Sequence, residues 1–456
     1  MSHRDLPRTL TLRDLVLLAV VAILNVSLIP PVALYGRASV AMWVLAFGCF
    51  FVPEAFAVLA LARRFPGEGG VYLWARRQFG ESHGFLSGWC YWINNLFYIP
   101  MQLVYIAGVL AFAGGARTVG LVDEQWFVGA VACGWLVVIT VANVRGMGVG
   151  KWIQNIGGVG SLVTVGLLVL AGVLARLKGV AASPPLVAGL GWGTVTSFSV
   201  MCFAFVGIEL ASTMGDEIHD PERNIPKSIF VAGAIILVCY LLATDALLVL
   251  VPTGELTVIQ GAMQAVERGA TAAGAGWIVA PVALMMSMAI GGGASAWFAG
   301  SARVPFVAGL SHALPAALGR VHPRWQSPHV ALLTCGVVSG VLVVLALLGS
   351  SVAEAYQALL KSAVVIQLVP FIYLFLGLMR LDDVGPTSRV AGGVGLLTTV
   401  LGIVAAFIPT ADVDSVTVFE VKMVLGSVAP IALGWWLFTR AQHRYASTAA
   451  IEESQS

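Results

Sequence analysis

The sequence predicts an all-α membrane protein that crosses the bilayer twelve times. Three observations predict this class: 59% of its 456 residues are hydrophobic, only 11% are charged, and the mean hydropathy is +0.91. A soluble chain carries about 25% charged residues. The formal net charge of +2 gives no reason to expect a polyanionic partner such as nucleic acid. The composition therefore argues against a soluble enzyme, a disulfide scaffold and a nucleic-acid-binding protein.

Twelve apolar stretches each approach the roughly 20 residues that a transmembrane helix needs. They lie near residues 14–35, 39–62, 84–113, 126–143, 153–175, 194–214, 228–252, 276–300, 328–348, 355–379, 391–409 and 418–438. Most of the 25 lysines and arginines fall on the side that holds both termini, and the positive-inside rule places that side in the cytoplasm. The six cysteines lie inside apolar runs without a CxxC pair. We therefore expect neither a disulfide framework nor a metal site.

Two of these stretches are interrupted. The first contains Asn25, Ser27 and two prolines in ILNVSLIPPVALYG, and the sixth contains Gly207 and the ionisable Glu209 in SVMCFAFVGIELASTMGDE. Proline removes a backbone donor and frees carbonyl groups at membrane depth. If the first ten helices form two groups of five, the interruptions occupy equivalent positions, which is typical of the central site of a repeat transporter. The alternative is that proline and glycine merely kink these helices.

Three segments carry a family resemblance. They read RRFPGEGGVYLWARRQFGESHGFLSGWCYWI after the second stretch, FAFVGIELASTMGDEIHDPERNIPKSIF from the sixth, and SARVPFVAGLSHALPAALGRVHPRWQSPHV after the eighth. Together they closely resemble the amino acid–polyamine–organocation (APC) transporters, nearest in pattern to the arginine/agmatine and glutamate/GABA antiporters. The F-x-G-x-E helix with its proline-containing tail is the most specific of the three motifs.

The resemblance implies a leucine-transporter-like fold: a five-plus-five inverted repeat with helices one and six broken, plus two additional helices. Residues 14–380 would form the ten-helix transport core and residues 381–440 helices eleven and twelve. A cytoplasmic segment, 1–13, would precede the core, and a cytoplasmic tail, 441–456, which we expect to be disordered, would follow the last helix. Substrate would bind between helices one and six, with helices three, eight and ten completing the walls. The family needs no cofactor and performs no covalent catalysis.

The family's motifs indicate which residues would bind substrate. They are Asn25, Val26 and Ser27 in helix one, Asn95 and Tyr98 in helix three, Phe203, Ala204, Phe205 and Gly207 in helix six, and Trp297 in helix eight. Phe203 matches a tryptophan that closes over substrate in the arginine/agmatine antiporters, although ordinary packing is the alternative. Helix one departs from the family, because bulky residues replace a G-S-G-like stretch whose bare amides receive a carboxylate. Asn25 and Ser27 either replace those donors or pack between helices.

Ionisable residues inside a membrane helix are costly and usually functional. Glu209 matches the glutamate of the F-x-G-x-E motif, for which the resemblance implies proton coupling. The alternative is a structural glutamate that accepts from freed amides. Lys361 either extends towards the headgroups or is a pathway charge, with Asp245 as its partner or as an interface residue. For Glu54 we expect snorkelling or a structural pair.

A polar stripe runs along helix three. Asn94, Tyr98 and Gln102 are spaced four residues apart, so they share one helix face. Such a stripe should face protein or a water-filled cavity, because contact with lipid would be expensive. Interhelical hydrogen bonding and substrate contact explain it equally well.

The sequence thus predicts a proton-linked or exchange transporter of amino acids in the cytoplasmic membrane. A polyamine or other organic cation is the alternative substrate, and a membrane sensor is a remote alternative function. Expected partners are the small substrate, protons and the lipid bilayer. Sodium is less expected than protons, because helix eight reads AIGGGASAWF with Ser295 as its hydroxyl. Both a monomer and a homodimer are compatible with the sequence.

Overall fold

The computed structural model describes residues 11–66, 69–179, 192–209, 220–302, 314–348, 351–409 and 415–455. Within these ranges the chain forms helices and no β-strand. Eleven helical stretches are long and apolar enough to cross a membrane. The prediction of an all-α polytopic membrane protein is therefore confirmed.

The structure describes nine α-helices in the first half of the chain. They are α1 (Leu12–Ile23), α2 (Ile29–Ala33), α3 (Ala38–Ala46), α4 (Val52–Arg64), α5 (Gly70–Phe79), α6 (Glu81–Leu110), α7 (Gln125–Val144), α8 (Met147–Leu177) and α9 (Trp192–Ala204). A π-helical turn, Phe47–Phe51, joins α3 to α4 as one span. The first predicted span therefore comprises α1 and α2, and the sixth begins with α9. Residues 210–219, which hold part of the sixth predicted span and its motif, lie outside the described residues.

The second half follows the same pattern of long helices and short connections. Its α-helices are α10 (Pro221–Leu250), α11 (Gly261–Ala272), α12 (Val279–Ser301), α13 (His329–Leu347), α14 (Val352–Arg380), α15 (Pro386–Ala406), α16 (Val416–Met423) and α17 (Ala429–Gln455). The expectation of a disordered tail is wrong, because α17 continues to residue 455. Residues 441–455 contain neither glycine nor proline and are rich in alanine, glutamate and glutamine, which favour helix.

Helix one breaks where the sequence predicts. α1 ends at Ile23, Asn25 is extended with φ −118° and ψ 108°, and a 3-10 turn, Val26–Leu28, leads into α2. The Asn25 side chain accepts a hydrogen bond from the Ser27 amide, as a helix N-cap does. Pro30 and Pro31 lie in the first turn of α2, where a missing amide donor costs little.

The α-helix of the sixth predicted span also ends at the predicted break. α9 ends at Ala204, and the chain turns through Phe205 to Gly207. Gly207 has a φ of 141°, which side-chain-bearing residues rarely adopt. A Cβ atom on Gly207 would lie 2.7 Å from Cγ1 of Ile23, at the end of α1. The glycine therefore permits both an unusual backbone and close contact between the two breaks.

Burial separates central helices from peripheral ones. The most apolar windows of α6 and α14 are 89% and 72% buried, whereas those of α7 and α13 are 33% and 39% buried. The peripheral helices expose large apolar side chains such as Val137, Val337 and Leu345. Exposed aliphatic surface of this kind suits lipid, so α6 and α14 form the centre of a bundle surrounded by lipid-facing helices.

Candidate substrate-binding site

A small cavity lies beside the two helix breaks. Helix one contributes one wall, the end of α9 a second, and α6, α12 and α14 the remainder. Five of the expected substrate-binding residues line it: Asn25, Tyr98, Phe203, Ala204 and Trp297. The other lining residues among those described are Ala22, Ile23, Leu28, Asn94, Val206 and Gln367. None of these lining side chains is charged.

The remaining expected residues lie near the cavity but do not line it. Val26 and Ser27 are buried in the 3-10 turn, and Phe205 and Gly207 are buried in the turn after α9. Asn95 is buried on α6, where its Nδ2 donates to the Tyr91 carbonyl at 3.0 Å. Their direct contact with substrate stays a prediction.

The predicted polar stripe of helix three faces the break in helix one. Asn25 Nδ2 donates to the Tyr98 hydroxyl at 2.7 Å, and Gln102 Nε2 donates to the same oxygen at 3.3 Å. The Ser27 hydroxyl lies 2.5 Å from Gln102 Oε1 and 2.8 Å from Asn25 Oδ1. The expectation that the stripe faces protein or a cavity is confirmed. Asn25 and Ser27 thus bind helix three instead of presenting bare backbone.

A tyrosine hydroxyl and a tryptophan indole group form hydrogen bonds with backbone groups that the helix breaks leave without helical partners. Tyr240 on α10 donates to the Ile23 carbonyl at 2.6 Å and also lies 3.1 Å from the Ala204 carbonyl. The same oxygen accepts from the Asn25 amide at 3.2 Å. Trp297 Nε1 donates to the Ala22 carbonyl at 3.0 Å. Two helix-one carbonyls beside the cavity are therefore already hydrogen-bonded to protein.

Three aromatic rings surround the cavity in edge-to-face contact. The ring centroid of Tyr98 lies 5.7 Å from that of Phe203 and 6.0 Å from that of Trp297. Such pairs are favourable beyond the area that they bury, so they hold each ring in place. Phe203 thereby lies against both the cavity and helix three, and its role as a closing residue stays a prediction.

Two amide side chains of the cavity retain unused hydrogen-bonding groups. Among the described residues, no group hydrogen-bonds to the buried Gln367 Nε2, Gln367 Oε1 or Asn94 Oδ1. Buried polar groups are nearly always hydrogen-bonded, because leaving one unpaired costs about 1–3 kcal/mol. Unpaired amides that line a cavity are groups that a bound molecule can satisfy. No sequence motif indicates Gln367, since glutamine in a membrane helix is commonly an interhelical contact.

Glu209 lies immediately after the helix-six break and is fully enclosed. Its Oε1 accepts from the Tyr91 hydroxyl at 3.0 Å, and its Oε2 accepts from the Gly207 amide at 2.8 Å. It therefore accepts from a freed amide, as the structural interpretation expects. Glu54 from α4 faces the same carboxyl group and is 0% exposed. The expectation that Glu54 snorkels is wrong, because the packing of α4 turns its carboxyl group inwards.

Lys361 lies away from the cavity. It is buried on α14, where its Nζ donates to the Ile408 carbonyl at 2.5 Å and lies 4.9 Å from the Phe419 ring centroid. The expectation that it extends towards the headgroups is wrong, since its ammonium group finds a carbonyl and a ring inside the protein. The structure also does not bring it to the cavity as a pathway charge. Asp245 is not its partner but pairs with Arg176 at 2.7 Å.

A cavity between two broken membrane helices, inside a bundle of lipid-facing helices, defines the class as a polytopic membrane transporter. The chain belongs to the amino acid permease family, whose sequence profile matches residues 10–429. This membership confirms the resemblance to the APC transporters.

Several relatives match most of the chain. It is 25% identical to an uncharacterized transporter of Legionella pneumophila, over 95% of this chain and 97% of that protein. It is 23% identical to a probable agmatine/putrescine antiporter of Lactococcus lactis, over 80% of this chain and 79% of that one. It is 29% identical to a putative arginine/ornithine antiporter of Escherichia coli, over 75% of this chain and 74% of that protein.

Proposed function

We propose that this transporter moves amino acids across the cytoplasmic membrane by proton-linked symport or by exchange, with the cavity open alternately to each side. The observation that carries the proposal is the chemistry of the cavity. Its polar side chains are neutral, and together they offer both unused donors and unused acceptors. A zwitterion needs both kinds of group and brings no net charge into the cavity.

The unused groups match the two ends of an amino acid. The Tyr98 hydroxyl accepts from Asn25 and Gln102, and no acceptor among the described residues takes its own proton. That proton and Gln367 Nε2 can donate to a carboxylate. Asn94 Oδ1 and Gln367 Oε1 can accept from an ammonium group. Each contact would satisfy a buried donor or acceptor that has no partner among the described residues.

A cationic amine is the second candidate substrate. Two relatives named above carry agmatine, putrescine, arginine or ornithine in their names. The rings of Tyr98, Phe203 and Trp297 would suit a cation through their π faces. A diamine would, however, bring two positive charges to a cavity whose described lining contains no carboxylate. Buried charge without a counter-charge is costly, so the zwitterion is favoured.

Proton coupling is proposed for Glu209. The ring of cavity residue Trp297 lies 6.2 Å from that of Tyr91, whose hydroxyl donates to Glu209. The Glu209 carboxylate in turn holds the Gly207 amide of the helix-six break. Protonation of Glu209 would weaken its hydrogen bonds to the Tyr91 hydroxyl and to the Gly207 amide. A change in the charge of Glu209 would therefore affect both the cavity wall and the helix-six break.

A thermal-shift screen of the purified protein against amino acids and polyamines tests the substrate class. A ligand at 100 times its dissociation constant stabilises the folded protein by about 2.7 kcal/mol. We expect stabilisation by one or more amino acids, and counterflow of the same compounds in proteoliposomes. Stabilisation by putrescine or agmatine alone would replace the amino acid with a cationic amine as the substrate.

Gln367→Met and Ser339→Ala provide a matched pair for this screen. Each removes a buried polar group that has no partner in the described part of the chain, but of the two only Gln367 lines the cavity. We expect both variants to fold with at least wild-type stability, and only Gln367→Met to lose the ligand-induced shift. An undiminished shift in Gln367→Met would remove this amide from the binding site.

A further inference from the structure

Glu54 is a buried acid without a donor. It is 0% exposed on α4, and neither of its carboxyl oxygens accepts a hydrogen bond from the described residues. The group that its carboxyl faces is the carboxyl group of Glu209. Two acids thus meet inside the membrane-spanning bundle, one from helix two and one from the break in helix six.

The two acids differ in the hydrogen-bond donors that surround them. Glu209 accepts from the Tyr91 hydroxyl and from the Gly207 amide, and both bonds favour its charged form. Among the described residues, the titratable groups that face Glu54 are Glu209 and Tyr91. The helices α10, α14 and α15 also pack against α4, yet none of them adds a charged group there. The Gly207 amide also lies near Glu54, but it donates to Glu209, so a second negative charge at Glu54 would have no donor of its own and no counter-charge.

We propose that Glu54 and Glu209 form one proton-binding site, in which a single proton on Glu54 bridges the two carboxyl groups. A protonated carboxyl group is a donor, so Glu54 can bond to the carboxylate of Glu209. The pair then carries one negative charge instead of two. This arrangement satisfies the orphaned side chain of Glu54 and leaves the two existing bonds of Glu209 unchanged.

The shared proton joins two elements that a transport cycle must move. Glu54 belongs to the span formed by α3 and α4, and Glu209 belongs to the break beside the cavity. Loss of the proton would place two carboxylates face to face in a medium of low dielectric, where they repel strongly. Proton release would therefore separate helix two from the helix-six break. The inference rests on the proposed function, because it identifies where a coupled proton is held.

Infrared difference spectroscopy of the purified full-length protein tests the site without any substrate. The carbonyl stretch of a protonated carboxyl group should be present in the wild type at neutral pH, where ordinary carboxyl groups are ionised. We expect Glu54→Gln to lose this band, since its amide supplies the donor to Glu209 permanently. Glu209→Gln should lose it as well, because its amide can donate to an ionised Glu54.

Glu354→Gln is the matched control. Glu354 is also buried, but it lies 3.6 Å from the ammonium group of Lys422 instead of facing a second acid. The band should persist in this variant. A band that is absent from the wild type, or that survives both Glu54→Gln and Glu209→Gln, would overturn the shared-proton site.

Transport separates this inference from the proposed function. In proteoliposomes, substrate uptake by the wild type should change between about pH 5 and about pH 8, and Glu54→Gln should lose most of that change. A wild-type infrared band without any pH-dependent uptake would support the shared proton but contradict proton-linked transport. Full wild-type pH dependence in Glu54→Gln would exclude the pair from the coupling step.

Discussion

Tyr240 shows how one side chain connects the two broken helices. Its hydroxyl bonds to the amide of Asn25 and the carbonyl of Ile23 in helix one, and reaches the carbonyl of Ala204 in helix six. Its ring stacks on Trp43 at a centroid distance of 4.3 Å, so the hydroxyl is held in position. Breaks expose backbone groups that lipid cannot solvate, and this tyrosine replaces the missing solvent.

At the residue scale we predict that Tyr240→Phe destabilises the protein by about 1–3 kcal/mol, because buried backbone groups lose their partner. The ring and its stacking on Trp43 remain. The measurement is the unfolding midpoint in detergent, together with substrate counterflow in proteoliposomes. Counterflow should fall as well, since the lost hydroxyl bonds fix both breaks beside the cavity.

Tyr105→Phe is the control for this prediction. Tyr105 is fully buried on α6, but no described residue hydrogen-bonds to its hydroxyl. Removing an unpaired hydroxyl should leave stability unchanged or slightly higher. Equal destabilisation by the two substitutions would show that the hydroxyl of Tyr240 contributes nothing specific.

At the element scale, small residues allow α8 and α12 to pack in direct backbone contact. A Cβ atom on Gly292 would lie 2.5 Å from Cα of Gly157 and 2.5 Å from the carbonyl oxygen of Ile153. On the facing helix, a Cβ on Gly157 would lie 2.7 Å from Cα of Gly292. Membrane helices associate largely through such van der Waals packing, so these glycines set the distance between helices five and eight.

We therefore predict that Gly292→Ala destabilises the protein by about 1–3 kcal/mol, the usual cost of overpacking. The neighbouring Gly293→Ala is its control, because a Cβ there meets no atom within 4 Å. That control should be neutral or stabilising by up to about 1 kcal/mol, since alanine is the better helix former. Unfolding midpoints of both variants test the prediction. Similar midpoints would contradict a specific contact at Gly292.

The two charged side chains inside α14, Glu354 and Lys361, contact neighbouring helices. Glu354 lies 3.6 Å from Lys422 on α16, and Lys361 donates to the carbonyl of Ile408 just beyond α15. The end of a helix carries partial negative charge, which suits an ammonium group. These contacts attach the tenth span to the last two spans. The charges of α14 thus serve its packing against the last two spans, while its Gln367 lines the cavity.

At the scale of the whole molecule, the distribution of basic residues predicts the orientation in the membrane. The connection after α6 would face the outside, and the connection between α7 and α8 would face the cytoplasm. Arg117 and Arg145 are exposed in these two connections. Accessibility from one side of the membrane therefore distinguishes them.

We predict that a membrane-impermeant maleimide labels Arg117→Cys in intact cells and leaves Arg145→Cys unlabelled until the cells are opened. The wild type, whose six cysteines lie within helices, measures the background. Labelling of Arg145→Cys alone in intact cells would invert the proposed orientation.

The sequence by itself determined the class, the spans and the positions of the breaks. Apolar composition, the length of the apolar stretches and the prolines near Asn25 act locally, so they can be recognised without a fold. The turn at Gly207 and the family motif around Glu209 are equally local. For the same reason, the sequence identified Asn25, Tyr98 and Phe203 as residues beside the breaks.

Only the tertiary structure decided which distant side chains meet. Tyr240, Gln367 and Glu54 lie on other helices than the two that break. The residues that flank them in the sequence are mostly apolar and carry no motif. Their roles depend on the rotation of each helix about its axis, which packing fixes. That rotation turned Glu54 towards Glu209 and Lys361 away from the cavity. Helix length and hydropathy cannot specify it, because a membrane span is equally apolar whichever way its few polar residues face.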